Sequence, residues 1–285
     1  MELVVALLPG ICWGVFPILT FLIGGDIKKQ VLGSSIGAFI GIIILNIINN
    51  YNYDLTTVIV GFVTGCFWPF GLFYQFKTAK LITMAKTAPL SSGTQLIFST
   101  LFSVIVFREW ETKYDFIVGI ISMLLIIVGM YMTGYTENKA HFSKDTYIQA
   151  IKCVLLSSLL FVVYIVGVQL FPQVDKMTVL LPQIVGIIVG AIINVGIKQV
   201  PKEVDKKFFL FIIPGLVWLL GNASLLVSYN RFGVAVSFGL AQTTIVISTL
   251  GSIYILKERK TQKEFKRVLL GLTILMFGVI LLLSL

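Results

Sequence analysis

The stretch GCFWPFG at residues 65–71 has an echo, GLVWLLG, at residues 215–221. Each copy places Gly, then Trp three residues on, then Gly three further, and the copies lie 150 residues apart in a chain of 285. A skeleton written twice, half a chain apart, points to an internal repeat. Shifting the chain by 149 or 150 residues brings more features into register. Gly37 and Gly41 fall on Gly186 and Gly190, and Ser99, Thr100 and Leu101 fall on Ser248, Thr249 and Leu250. Arg108 and Glu109 fall on Lys257 and Glu258, and Thr112 falls on Thr261.

The repeat is written in apolar segments. Hydrophobic residues make up 57% of the chain and charged residues 12%, against about 45–50% and 25% in soluble domains. Asp, Glu, Lys and Arg are absent from ten runs: 3–25, 30–53, 55–76, 87–107, 116–136, 153–174, 177–197, 208–230, 232–256 and 268–285. About 20 apolar residues at 1.5 Å each span the ~30 Å hydrocarbon core, where a helix satisfies its own backbone. The first run is expected to be a bundle helix, since Glu2 replaces the basic start of a signal peptide and no cleavage site follows.

Five helices per half is an odd number, so the second half must cross the membrane in the opposite sense. The equivalent links agree. Residues 108–113 carry two basic and two acidic groups, whereas 257–267 carry six basic and two acidic groups. The reading is an all-α integral membrane protein of ten transmembrane helices, arranged as two inverted five-helix repeats. Residues 1–136 form the first, 148–285 the second, and 137–147 a cytoplasmic linker. Inverted repeats are a recurrent plan of secondary transporters, with the site near the midplane where the repeats meet.

The net charge of +9 is an orientation signal. Eighteen Lys and Arg residues fall on one side of this arrangement, and only Arg108, Lys113, Lys176 and Arg231 on the other. The positive-inside rule puts the basic side in the cytoplasm and both termini outside, in a multi-pass protein of the cell membrane. No nucleic-acid footprint is implied. Cys12, Cys66 and Cys153 all lie in apolar runs at spacings that fit no metal motif, so they read as small buried hydrophobes. His141, the one histidine, sits in the polar linker and reads as solvated. Paired carboxylates, His with Asp, and metal-ligand spacing are all missing from the runs. No metal, cofactor or enzymatic activity is therefore expected.

The runs are rich in amides instead. Gln95, Gln183, Asn222 and Gln242 lie within them, and Gln95 and Gln242 each follow small or Pro-containing leads, APLSSGTQ and AVSFGLAQ. An amide offers donors and an acceptor without a charge to desolvate, which suits an uncharged, hydroxyl-rich solute. Trp13, Trp68 and Trp218 can cover the apolar face of such a solute. A cation would call for a buried carboxylate. The alternative role of the amides is interhelical hydrogen bonding, and of the tryptophans, packing. Gly37/Gly41 and Gly186/Gly190, being repeat equivalents, are expected to pack within one chain, so that a monomer suffices. Lys77 and Lys80 read as snorkelling at the cytoplasmic edge.

Taken in order, LPGICWG at 8–14, Gly24 and Gly25, TVIVGFVTGCFWPFG at 57–71, FSVIVFREW at 102–110, IIPGLVWLLGN at 212–222, GVAVSFGLAQ at 233–242 and STLGSIYILKERK at 248–260 resemble one family. It is the glucose/ribose porter family of the drug/metabolite transporter superfamily, within it the bacterial glucose uptake proteins, and the resemblance covers essentially the whole chain. It implies a sugar permease, glucose foremost, with proton-coupled uptake. It places Trp13, Gln30, Trp68, Gln95, Pro182, Gln183, Trp218, Asn222 and Gln242 on family motif positions. After Gly71 this chain has Leu72 where relatives tend to carry an amide, so the first half offers fewer polar contacts. If protons are carried, Glu109 and Glu258 at helix ends are the nearest carboxylates. The superfamily fold also serves export of small metabolites or drugs, which is the competing expectation.

Overall fold

A computed structural model of the chain describes residues 2–49, 53–137, 143–175, 177–232 and 234–285, and every regular element among them is helical. His141 lies outside the described residues. The first half comprises α1 (Glu2–Ile23), α2 (Ile27–Asn49), α3 (Leu55–Gly65), α4 (Trp68–Ile82), α5 (Met84–Phe102, continued by one π turn, Ser103–Phe107) and α6 (Lys113–Thr133). The second comprises α7 (Lys144–Val166), α8 (Leu180–Val195), the single turn α9 (Val200–Glu203), α10 (Ile212–Phe232), α11 (Val234–Ala241), α12 (Thr243–Tyr254) and α13 (Gln262–Leu282).

Eight helical spans are long and apolar enough to cross a bilayer, with α3 and α4 counted as one span, Leu55–Ile82. Three of the charge-free runs depart from a single long helix. Run 177–197 yields α8, a shorter apolar helix of 16 residues. Run 232–256 is divided at Gln242, whose N–H is shared between the Phe238 and Gly239 carbonyls at 3.3 and 3.1 Å. The Leu55–Ile82 span also breaks, at Cys66–Phe67. Pro69 stands in the first turn of α4, has no N–H to give the Gly65 carbonyl, and so cannot continue α3.

The bundle carries apolar side chains on its outer faces as well as in its core. Large aliphatic side chains such as Ile117, Ile120, Ile121, Leu124 and Ile127 on α6 are exposed along one face, as a hydrocarbon solvent requires. Inside, small and hydroxyl residues stand among large ones such as Phe76, Ile184 and Leu275 and let backbones approach. A Cβ on Gly37 would sit 2.2 Å from the Ile212 carbonyl oxygen, and one on Gly186 2.1 Å from that of Phe62. Gly65 and Gly215 are equally tight against the Gln183 and Ser34 carbonyls, at 2.0 and 2.1 Å. These glycines therefore pack within the chain, and only Gly fits.

Helices of the first half pair with helices of the second. α1 packs on α10 and α7 on α4; α2 packs on α10 and α8 on α3; α6 packs on α13. At the basic end of the bundle the links are tied to one another. Lys29 pairs with Asp205 at 2.6 Å, Lys28 donates to the Val195 carbonyl, and Lys80 donates to the Gly25 carbonyl at 2.9 Å. Lys263 pairs with Glu137 at 3.3 Å, and Arg267 stacks on the Tyr135 ring. At the opposite end, among the described residues, the links' side-chain hydrogen bonds stay local: Asn46 to Tyr53, Asp54 to Thr57, Asp115 to Thr112, and Asp175 to Thr178.

Candidate functional site

α4 and α10 each carry one Trp of the repeated skeleton, and their packing brings the two indoles together. The Trp68 and Trp218 ring centroids are 4.5 Å apart with planes tilted 51°. Both side chains are buried, at 3% and 7% exposure. Phe16 of α1 and Phe161 of α7 flank Trp68, each at 6.4 Å, and Tyr164 of α7 stands 6.4 Å from Trp218. Four helices therefore contribute to one aromatic cluster.

The glycines that frame the skeleton seat further rings. A Cβ at Gly71 would meet the Phe161 ring at 3.0 Å, and one at Gly221 would meet the Trp13 ring at 2.7 Å. Trp13 is thus held against α10 beside the cluster, and its Nε1 is buried with no hydrogen-bond partner. An orphaned indole N–H costs free energy unless something polar reaches it.

Among the described residues, three of the four predicted amides donate to protein, and Gln242 does not. Gln183 donates to the Tyr164 carbonyl at 3.2 Å and to Thr64 Oγ1 at 3.3 Å, which ties α8 to α7 and α3. Asn222 donates to the carbonyl of Trp218, one turn before it, at 2.9 Å. These donors are engaged with protein. Gln95 donates to Ser91 Oγ at 3.0 Å, and Gln242 is buried with no hydrogen-bond partner for its side chain among the described residues.

Sequence reasoning counts Gln75 among the amides of the runs without singling it out, and passes over Ser91. Gln75 also donates to Ser91 Oγ, at 3.0 Å, so one hydroxyl receives two amides while Ser158 holds the Ser91 carbonyl at 3.3 Å. Ser91 is fully buried. With both incoming bonds used as acceptor, its own O–H proton remains to be given. Gln75 lies seven residues after Trp68, two turns along the same face of α4, and that spacing could have identified it. Ser157, donating to the Gly71 carbonyl at 2.7 Å, lies between the two groups. A line of aromatic and then polar side chains runs down α4 and α7 toward the basic end. Gln30 of α2 adds a buried Oε1 with no partner.

The two speculative proton carriers differ in setting. Glu258 accepts the backbone N–H groups of Met84 and Ala85 at 2.7 and 2.9 Å. Glu109 is exposed and makes no hydrogen bond or ion pair among the described residues. Around Glu258 lie buried Lys86, which donates to Thr136, and buried Glu264, which accepts from the Glu137 N–H at 2.9 Å. Burial pulls the Lys260 ammonium below the usual lysine range, partly offset by Glu264 and Glu258.

The full chain has relatives. It is 37% identical over 282 residues to the glucose uptake protein GlcU of Bacillus subtilis, covering 98% of this chain and 97% of that one. It is 36% identical over 281 residues to GlcU of Staphylococcus xylosus, covering 98% and 96%. A solved crystal structure only 15% identical superposes with a TM-score of 0.64 over 100% of this chain and 98% of that one, which shows a shared fold. The model of the family described as "Sugar transport protein" matches residues 4–285, and the chain belongs to that family.

Proposed function

We propose that this protein is a sugar uptake transporter of the cell membrane, with glucose its foremost substrate, working by alternating access. The observation that carries the reading is the meeting of Trp68 and Trp218, equivalent in the sequence repeat and 4.5 Å apart in space. In this reading the chain has ten transmembrane helices as two inverted five-helix repeats, 1–136 and 148–285. The linker 137–147 and the basic end face the cytoplasm, both termini face outward, and one chain suffices. The shorter α8 and the α11–α12 pair are then the seventh and ninth spans.

The duplicated helix pairings support the two-fold arrangement, because α1 on α10 and α7 on α4 are the contacts such an axis would exchange. An uncharged polyol is favoured by the chemistry near the pair. Among the described residues the buried charged side chains are Lys86 and Glu264, both at the basic end. The tryptophans would cover a sugar ring's apolar face. Trp13 Nε1, the Ser91 hydroxyl, Gln75, Gln95 and Gln242 would meet its hydroxyls. The uptake named for the relatives, at 36–37% identity over nearly the whole chain, points the same way.

Proton coupling is part of the proposal. It calls for a titratable group whose surroundings change during the cycle, and Glu258 and Glu109 are the repeat-equivalent pair in unlike settings here. The test is uptake of labelled glucose and ribose by cells lacking their own sugar carriers, with and without a protonophore. Glucose uptake that collapses with the proton gradient is the expected result. Uptake that equilibrates regardless would mean facilitated diffusion, and no uptake of either sugar would favour the exporter reading.

A further inference from the structure

Arg108 and Lys257 are equivalent in the repeat, and both stand in the left-handed backbone region, at φ 55° and 56°. Four residues after each, a threonine opens a capping box: Thr112 with Asp115 on α6, and Thr261 with Glu264 on α13. The chain makes the same turn twice, so Glu109 and Glu258 leave it at the same step. What they reach is different.

Glu258 reaches α5. Its two carboxylate oxygens take the N–H groups of Met84 and Ala85, in the first turn of a helix that starts directly after α4. First-turn N–H groups have no partner within their helix, and a carboxylate there is favoured by charge and by the helix dipole. This contact joins the last link of the second half to a helix of the first half. It lies at the end where the Lys29–Asp205 pair also joins the two halves, the Lys263–Glu137 pair ties α13 to the linker, and the Lys80–Gly25 bond ties α4 to the first link.

The equivalent contact at the opposite end would place Glu109 on the first turn of α11, which starts at Val234 directly after α10. Glu109 makes no such bond; it is exposed and without a partner among the described residues. Two halves that rock against each other about a two-fold axis close one end as they open the other. We propose that Glu258 on α5 and Glu109 on α11 are alternate latches of that motion, the first engaged and the second released in this structure. The inference rests on the alternating-access reading above and gives the two carboxylates a direct mechanical role. The basic latch has a cation next to it. Lys86 stands beside it, whereas Val236 occupies the equivalent place in the sequence.

The test reads the two ends separately. Cys12, Cys66 and Cys153 are replaced by Ala, and Thr87→Cys on the buried first turn of α5 serves as the reporter. A membrane-impermeant sulfonated maleimide is applied from the basic side, in inside-out vesicles. Glu258→Gln is expected to raise the labelling rate at least fivefold, and Glu109→Gln to lower it at least twofold. Opposite shifts from equivalent substitutions are not produced by general loosening. No change in Glu258→Gln, or shifts of the same sign in both variants, overturns the proposal. In a second measurement, Glu109→Cys with Val234→Cys forms a disulfide under mild oxidant in the Glu258→Gln background, and its absence also overturns it. Labelling needs no sugar. A carrier of some other solute would pass this test and fail glucose uptake, whereas a sugar carrier without these latches would do the reverse.

Discussion

Trp68 and Trp218, 150 positions apart in the sequence, meet at 4.5 Å with their ring planes tilted 51°, at the centre of a cluster drawn from α1, α4, α7 and α10. A pair of this kind contributes about 0.5–1.5 kcal/mol beyond its buried area. The single changes Trp68→Phe and Trp218→Phe keep a ring at each place and are expected to fold. A double-mutant cycle on thermal unfolding in detergent should return a coupling of about that size. If the indoles also form the floor for a sugar, each single change lowers glucose uptake several-fold while protein level holds. A coupling indistinguishable from zero would mean that the rings share space without sharing energy.

Gln75 and Gln95 both end on Ser91 Oγ at 3.0 Å. Gln75→Leu removes one amide from the proposed path and leaves the Gln95 bond in place. The expected result is a KM for glucose raised about tenfold, close to the 1.4 kcal/mol typical of one lost hydrogen bond in a site, with kcat and protein level little changed. Ser91→Ala strands both amides and should be worse than either single change at Gln75 or Gln95. An unchanged KM in Gln75→Leu would remove this cluster from the binding path.

The eight long apolar helices were legible because they depend on composition and spacing alone. Membrane helices need ~20 apolar residues whatever they pack against, and Gly65, Trp68 and Gly71 announce their equivalents by identity. The break at Gln242 was not legible, since AVSFGLAQ holds no proline and the interruption arises from local backbone bonding. The arrangement of the candidate site was legible in part. Trp13, Trp68 and Trp218 do come together, but nothing in the residue Gln distinguishes Gln183, whose donors tie helices, from Gln242, whose side chain is uncommitted. Side-chain partners depend on which helices meet, and that is a property of the assembled bundle.

Gly186 lies against α3 with the Phe62 carbonyl 2.1 Å from where a Cβ would sit, so Gly186→Ala cannot be accommodated without moving a backbone. Gly134 is the control, because its nearest neighbours for a Cβ are carbonyls at 3.5 Å. Gly186→Ala should sharply reduce the yield of monodisperse protein and lower its unfolding temperature by several degrees. Gly134→Ala should stay within about 0.5 kcal/mol of the parent, as surface changes usually do. Equal behaviour of the two variants would mean that α3 and α8 do not approach as closely as described.

Lys29 and Asp205 join α2 to the link after α9 at 2.6 Å. The hydrogen bond from Lys29 holds the Asp205 carboxyl below the usual aspartate range. A folded-state pKa below the unfolded one adds stability that is fully present above the unfolded value, ~3.9 for aspartate, and is lost as pH falls through the folded value. Asp205→Asn removes that contribution at every pH. Unfolding temperatures of the two proteins in detergent should therefore differ at pH 6 and converge as the pH drops through the acid range below ~4. High salt should narrow the gap at pH 6, because Asp205 is solvent-exposed and exposed pairs are screened. A difference that persists unchanged to pH 3 would place its origin in packing at the α2 link, outside this ion pair.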